Sequence, residues 1–295
     1  MHKIRVPATS ANLGPGFDSL GIAFNLYNTF TFEEIPKGLE IVGCDEYYNN
    51  EDNLIYLSMK KALADMDHRI SGVRITVDSD IPISSGLGSS AACIVAGILG
   101  ANELAGRPFS KDDMLRTATN IEGHPDNVAP AIFGGLVVSI MEEDEVIHNS
   151  IEVARGLKFV ALIPDLKIST KKARAALPKT ISLSDGIFNV SRVSLLISAL
   201  SNGKFELLKY GLEDKFHQPY RSKLIPDFDE IMAICQEHKA IGTFLSGAGP
   251  TILALIDEDN TNFVQGLTKD LKPLKNTWTV KELELDLEGA SVLAF

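Results

Sequence analysis

Residues 82–92 read Pro82-Ile83-Ser84-Ser85-Gly86-Leu87-Gly88-Ser89-Ser90-Ala91-Ala92 and run straight into an apolar, small-residue stretch. The spacing predicts a buried helix over 91–104. Two glycines let the backbone curl around a ligand, two serines add hydroxyls, and the helix start presents unpaired N–H groups with a partial positive charge. That combination suits a di- or triphosphate; the plain alternative is a serine-capped turn before a core helix. No G-x-x-x-x-G-K-S/T occurs, so this is not a Walker A loop. Gly86-x-Gly88-x-x-Ala91 matches a relaxed dinucleotide pattern, but that turn should follow its strand immediately, and the strand predicted to end at Val77 lies well upstream. The nearby candidate for the acid such a site needs, Glu103, falls too early and inside the helix.

Three further stretches compete for function. Residues 7–21, Pro7-Ala-Thr-Ser-Ala-Asn12-Leu-Gly-Pro-Gly-Phe-Asp18-Ser-Leu-Gly21, are dense in turn formers, with Asn12 and Asp18 set to project from a tight loop. They equally describe a purely structural loop. Ser246-Gly-Ala-Gly-Pro-Thr251 lies between two short predicted strands and serves as a hairpin or as a second backbone wall of a site. Residues 122–131, Glu122-Gly-His124-Pro-Asp126-Asn127-Val-Ala-Pro-Ala131, end a predicted helix. A carboxylate beside a phosphate loop is what Mg²⁺ requires, since the ion takes one or two carboxylates plus phosphate oxygens. His124, Asp126 and Asn127 can line one pocket. The assignment of Glu122 depends on its approach to Ser90, which spacing does not supply.

Around these motifs, strands are predicted at 4–6, 20–32, 39–42, 73–77, 136–141, 159–163, 242–245, 252–256 and 278–285. Helices are predicted at 54–64 (capped by Asn53), 91–104, 110–121 (Ser110 as cap, Asp113 at N3), 184–200, 225–238 and 261–271. Strands and helices interleave without regular βαβ spacing, which predicts α+β rather than a doubly wound sheet. A boundary follows the acidic stretch 142–145, near Gly156.

Composition excludes several classes. With 28 Lys and Arg against 39 Asp and Glu, the formal charge is −11, so neither nucleic acid nor an anionic membrane is an expected partner. The longest nearly apolar run, 91–101, is about half the ~20 residues a membrane span needs, and the N-terminus lacks a secretory apolar segment. Cys44, Cys93 and Cys235 are far apart, with no C-x-x-C, and read as reduced, mostly buried thiols of a cytoplasmic protein. The six histidines include no H-E-x-x-H, so no structural zinc is expected.

Taken together and in this order, 7–21, 82–92 and 246–251 resemble the GHMP small-molecule kinase superfamily. Within it, 7–21, EGHPDNVAPAIFGG from Glu122 and STKKARAALP from Ser169 are similar to the homoserine kinase branch, which makes O-phosphohomoserine for threonine synthesis. The resemblance covers nearly the whole chain. It implies an N-terminal domain (1–155) like the second domain of ribosomal protein S5 and a ferredoxin-like C-terminal domain (156–295), with ATP and substrate meeting between them. By the resemblance, Pro82 through Ala92 bind nucleotide, with Gly86 to Ser90 around the phosphates. Ser90 and Glu122 hold Mg²⁺, Asn53 lies near the base, and Thr170 touches the phosphates. Asn12 and Asp18 fall near the substrate amino and hydroxyl groups, His124 and Asn127 line the same pocket, and Arg174 and Arg221 bind the α-carboxylate. Arg suits that role because it makes bidentate, charge-assisted pairs with carboxylates.

The implied reaction is in-line transfer of the γ-phosphoryl of ATP to the hydroxyl of L-homoserine, dominated by positioning and charge stabilisation. Related mevalonate kinases carry an Asp base in a V-D-N stretch with a partner Lys near the first motif. Here the stretch is Pro125-Asp126-Asn127 and the first motif has no such Lys. Asp18 is therefore the first candidate to orient the hydroxyl or accept its proton and Asp126 the second, with Asn127 counted among the catalytic residues beside them. A GHMP kinase for mevalonate, shikimate or a sugar is the runner-up, and a non-catalytic ligand sensor on the same fold is a further alternative. The family makes a homodimer the expected assembly.

Overall fold

The computed structural model describes residues 1–143 and 145–294. In chain order the strands and helices are β1 (His2–Ala11), β2 (Leu20–Glu34), β3 (Gly38–Val42), α1 (Leu54–Asp65), β4 (Gly72–Ser79), α2 (Ser89–Leu104), α3 (Lys111–Glu122), α4 (Val128–Phe133), β5 (Leu136–Glu142) and β6 (Glu145–Ile151). There follow β7 (Leu157–Pro164), α5 (Thr170–Ala175), α6 (Leu183–Asn202), α7 (Leu208–Gly211), α8 (Gln218–Arg221), α9 (Phe228–Glu237), β8 (Gly242–Leu245), β9 (Ile252–Asp257), α10 (Phe263–Asp270), β10 (Trp278–Leu283) and β11 (Ser291–Leu293). The architecture is α+β, as the irregular interleaving predicts.

Two sheets carry it. The first has the order β11-β1-β2-β4-β3, with β5 on β2 and β6 on β5; all pairs are antiparallel except β3 with β4. The second is antiparallel, in the order β10-β7-β9-β8. β2 alternates between buried and half-buried positions over its second half, and places Phe24, Phe30 and Phe32 in the core. Phe24 packs against Phe159 of β7 at 5.2 Å between ring centroids, so one apolar core joins the two sheets. The last strand, β11, lies in the 156–295 half yet returns to pair with β1.

Local signals located most elements. Asn53 caps α1 by accepting from the N–H groups of Ile55 and Tyr56. Ser110 and Asp113 close a full capping box on α3. The turn-rich stretch after Pro7 is not all loop, however: β1 continues through Ala11, because Ala8 to Ala11 are small, buried and paired with 21–24. The turn is confined to 12–19, with Asn12, Leu13 and Asp18 in left-handed conformations. β6, α4, α5, α7, α8 and β11 are unpredicted; each is short, and β6 is a half-exposed edge strand without an apolar alternation strong enough to read.

Two sequence expectations need correction. Only Cys235 is fully buried; Cys44 and Cys93 are half-buried and border the central cavity. One helix, α6, does have the length and apolar composition of a membrane span. Its buried Asn189 donates to the Pro15 carbonyl and to Asp214, and Leu196, Ala199 and Leu200 face the core, so α6 is stitched into this fold by one face.

Candidate active site

A cavity of about 560 Å³ opens at the start of α2, walled by residues from both halves of the chain. Its floor is the glycine loop, and its shape is set by backbone fit. Gly88 is the N-cap of α2 at φ +70°, and a Cβ there would lie 2.0 Å from Thr9 Oγ1. Gly86 sits at φ +88°, and its Cβ would meet the Ser246 carbonyl oxygen at 2.5 Å. Three separate segments clamp this loop. Thr9 N–H donates to the Leu87 carbonyl, Thr251 N–H to the Ser85 carbonyl, and Ile168 N–H to the Ser84 carbonyl. Ser246 Oγ donates to the Gly86 carbonyl (2.6 Å) and lies 2.8 Å from Ser10 Oγ. The three glycine- and turn-rich stretches of the sequence are thus one object in space. A Gly86→Ala substitution forces a strained φ and a backbone clash, so we expect the affinity for a nucleoside triphosphate to fall at least about tenfold, measured by calorimetric titration.

The loop residues divide by side chain. Pro82, Ile83, Ser84, Ser85, Gly86, Gly88, Ser89 and Ser90 border the cavity, whereas Leu87, Ala91 and Ala92 do not. Those three are 1% exposed or less and point into the core, because β1 and α1 pack on that side of α2. Their expected contact with nucleotide therefore does not extend to their side chains. Asn53 and Thr170 also border the cavity. The Asn53 amide is already committed, its oxygen capping α1 and its Nδ2 donating to the Tyr48 carbonyl.

Glu122 ends α3, and Gly123 in a left-handed conformation turns the chain away. Ser90 Oγ donates to Glu122 Oε2 at 3.1 Å, closing the approach that sequence spacing left open. Burial pushes the Glu122 carboxyl above the ordinary carboxylate range, against the opposing effects of His124 and the Ser90 hydroxyl. A desolvated carboxylate next to a hydroxyl at a phosphate-type loop is a donor set that suits a hard divalent cation. His124 Nδ1 is hydrogen-bonded to Asp126 Oδ1. Burial opposes the charged His124 ring, but the Asp126 bond and the charges of Asp126, Glu122 and Asp18 outweigh it and raise its pKa. Asn127 accepts from Thr9 Oγ1 at 2.9 Å, which fixes the orientation of its amide, with Nδ2 3.4 Å from Asp126 Oδ1.

The far wall carries the charges of the turn at 12–19 and of α5 and α8. Asn12 bridges that turn to the β8–β9 hairpin: its Oδ1 accepts the Asp18 N–H and its Nδ2 donates to the Gly247 carbonyl. Asp18 takes a two-pronged ion pair from Arg174, with Nη2 to Oδ1 at 2.9 Å and Nη1 to Oδ2 at 3.1 Å. Ligand atoms of Asp18, His124 and Asp126 all lie within 4.8 Å of one another. Arg221 is 3% exposed; its Nη1 donates to the Gly247 carbonyl at 2.9 Å, and its Nε finds no partner among the described residues. Burial, and then the nearby Arg174 charge, push the Arg221 pKa down to about 10.

Sequence reading missed the residues that hold these groups. Thr9 and Ser246 lie inside quoted motifs but carry no spacing signal of their own. His217 stands four residues before Arg221, a helical spacing that could have pointed to it. It is wholly buried, and its Nε2 donates to the Gly14 carbonyl at 2.8 Å, leaving Nδ1 as acceptor 3.4 Å from Arg221 Nη1. Burial holds the ring below its ordinary pKa, hence neutral.

Comparison with known proteins places this geometry. Residues 53–135 match the model for the GHMP kinases N terminal domain, and residues 196–269 match that for the GHMP kinases C terminal domain. The chain is 52% identical over 292 residues to a homoserine kinase of Clostridium botulinum, covering 99% of this chain and 98% of that one. It is 50% identical over 294 residues to a homoserine kinase of Clostridium beijerinckii, covering 99% of each chain. The crystal structure of homoserine kinase from Cytophaga hutchinsonii superposes with a TM-score of 0.88 at 30% identity, covering 99% of this chain and 97% of that one.

Proposed function

The chain belongs to the GHMP kinase family and phosphorylates L-homoserine with ATP to give O-phospho-L-homoserine, and on that premise we propose how its cavity divides the work. The observation that carries the division is the polarity of the cavity. One end is a clamped glycine loop at a helix N-terminus; the other sets two guanidiniums beside the carboxylates of Asp18 and Asp126. A nucleotide triphosphate suits the first end and a zwitterionic amino acid the second.

In this reading Gly86 to Ser90 hold the phosphates through backbone N–H groups, Thr170 touches the phosphates, and Asn53 lies near the base. Ser90 and Glu122 hold Mg²⁺, whose charge, when bound, offsets that of the phosphate oxygens. Arg174 and Arg221 take the α-carboxylate. Asp18, once Arg174 turns to that carboxylate, is free for the ammonium and the hydroxyl. Asn12 keeps Asp18 in place through its own N–H, and His124 and Asn127 complete the wall. The hydroxyl oxygen attacks the γ-phosphorus as the bond to the β-phosphate oxygen breaks, and the hydroxyl proton passes to Asp18. Because the clamps on the loop and on Asn127 are already made, little reorganisation remains for the reaction itself. The division at residue 156 assigns the phosphate end to the N-terminal half and both arginines to the C-terminal half. Three thiols without disulfides support a cytoplasmic setting.

The test is ADP release from Mg-ATP against L-homoserine, L-serine, shikimate, mevalonate and galactose. We expect L-homoserine to exceed every other acceptor in kcat/KM by at least about 10²-fold: shikimate, mevalonate and galactose lack one or both of the charges the site pairs, and L-serine, one methylene shorter, holds its hydroxyl out of line with the γ-phosphorus. Faster turnover of another alcohol discards the substrate roles of Arg174 and Arg221. Silence across the panel with ATP still bound supports the sensor.

A further inference from the structure

Phe17 precedes Asp18 in the turn after β1, and its half-buried ring has three polar neighbours. Arg221 Cζ lies over the ring at 5.3 Å from its centroid, and Arg174 Cζ at 5.7 Å. The imidazole of His217 stacks on it at 5.5 Å, with 28° between the planes. Two guanidiniums that serve one carboxylate have to be held near each other while the site is empty, and they repel. Acidic partners for both would hold them but would occupy the N–H edges the ligand needs. An aromatic face attracts a cation through its quadrupole and leaves those edges free. The neighbouring residues Phe17 and Asp18 thus grip Arg174 by face and by edge. Arg221, buried and short of a partner for Nε, has the ring and the Gly247 carbonyl. His217 backs the ring as a neutral group tied to the same turn through Gly14, so it adds no third cation to the cluster.

We propose that Phe17 is a positioning residue for substrate: its ring holds the Arg174 and Arg221 guanidiniums near each other, and keeps Arg174 in place while its N–H edge passes from Asp18 to the α-carboxylate of the amino acid. The proposal rests on the reading above that these two arginines bind that carboxylate. It predicts that substrate affinity follows the electron density of the ring at position 17 rather than its volume.

The experiment replaces Phe17 with mono-, di- and trifluorophenylalanine, which weaken the quadrupole at nearly constant shape, and adds Phe17→Tyr, Phe17→Trp and Phe17→Leu. KM for L-homoserine and KM for ATP are measured separately for each folded variant. The expected result is a stepwise rise in the homoserine KM across the fluorine series, reaching about ten- to a hundredfold for the trifluoro and Leu forms. Tyr or Trp should stay within a few fold of the parent, and the ATP KM should not move. A flat fluorine series overturns the proposal, as does a rise shared equally by both substrates. Arg174→Met in the same assay separates the two layers. If it raises the homoserine KM while the fluorine series is flat, only the role of Phe17 falls; if it leaves that KM unchanged, the carboxylate reading falls and takes this proposal with it.

Discussion

Glu122→Gln is expected to lower kcat with Mg-ATP by at least about 10³-fold, equivalent to about 4 kcal/mol of barrier, without loss of fold. The glutamine keeps the shape of the side chain and can still accept from Ser90 Oγ, so the contact at 3.1 Å survives. What it removes is the negative charge. In the empty protein that charge is a liability, because burial pushes the Glu122 carboxyl above its ordinary range. The folded form therefore holds a proton more tightly than the unfolded chain, and ionising Glu122 as pH rises through that range weakens the fold. The neutral variant escapes this cost. Its thermal midpoint without ligand should equal or exceed that of the parent by up to about 3 °C. Added Mg-ATP should raise the midpoint of the parent and much less that of the variant. Turnover near the parental rate would remove Glu122 from the metal-holding role. A variant inactive because it is unfolded would show no cooperative transition, which the same melt reports.

Asp18→Asn is expected to cut kcat for L-homoserine by about 10²- to 10⁴-fold, the range of a lost general base, with the ATP KM within about twofold of the parent. Asp18 holds a left-handed φ of +55° and is fixed at its N–H by Asn12 Oδ1. Asparagine tolerates that conformation better than most residues, so the turn should persist. The variant loses the two-pronged ion pair with Arg174 and the capacity to take a proton. The control is Asp126→Asn. Asp126 is 2% exposed and bonded to His124, which makes it a partner of the imidazole more than of an incoming hydroxyl. Its kcat loss should be smaller. A larger loss at Asp126 than at Asp18 would move the proton acceptor to Asp126. A loss confined to the homoserine KM at Asp18 would leave Asp18 as a binding group only.

The glycine loop was legible because its chemistry is local. A φ of +70° or +88° favours glycine, and a helix that starts at Ser89 exposes its N–H groups whatever else the chain does. Asn53 and the Ser110–Asp113 box were legible for the same reason, each satisfying backbone groups within three residues. Even so, local reading did not sort the side chains of the loop between cavity and core. It could not tell that Leu87, Ala91 and Ala92 face the core, since that depends on which side β1 and α1 pack.

The short elements were opaque. β11, three residues long, exists because Lys3 to Arg5 offer it a partner about 290 positions earlier in the chain. β6 is stabilised by its register with β5 rather than by its own composition.

What the sequence alone determined is the set of parts: a glycine-rich loop at a helix start, a carboxylate at a helix end, turn residues able to take left-handed conformations, and a family pattern that gathers them. Their meeting belongs to the tertiary structure. Ser90 reaches Glu122 across 32 positions, Asp18 reaches Arg174 across 156, and Asn12 reaches Gly247 across 235. Side-chain chemistry states what each residue can bond, whereas a contact between distant residues arises only when the packed core brings their backbones within a few ångströms. That is why the Phe17 ring, unremarkable in its turn of sequence, becomes a platform for two cations only in the folded chain.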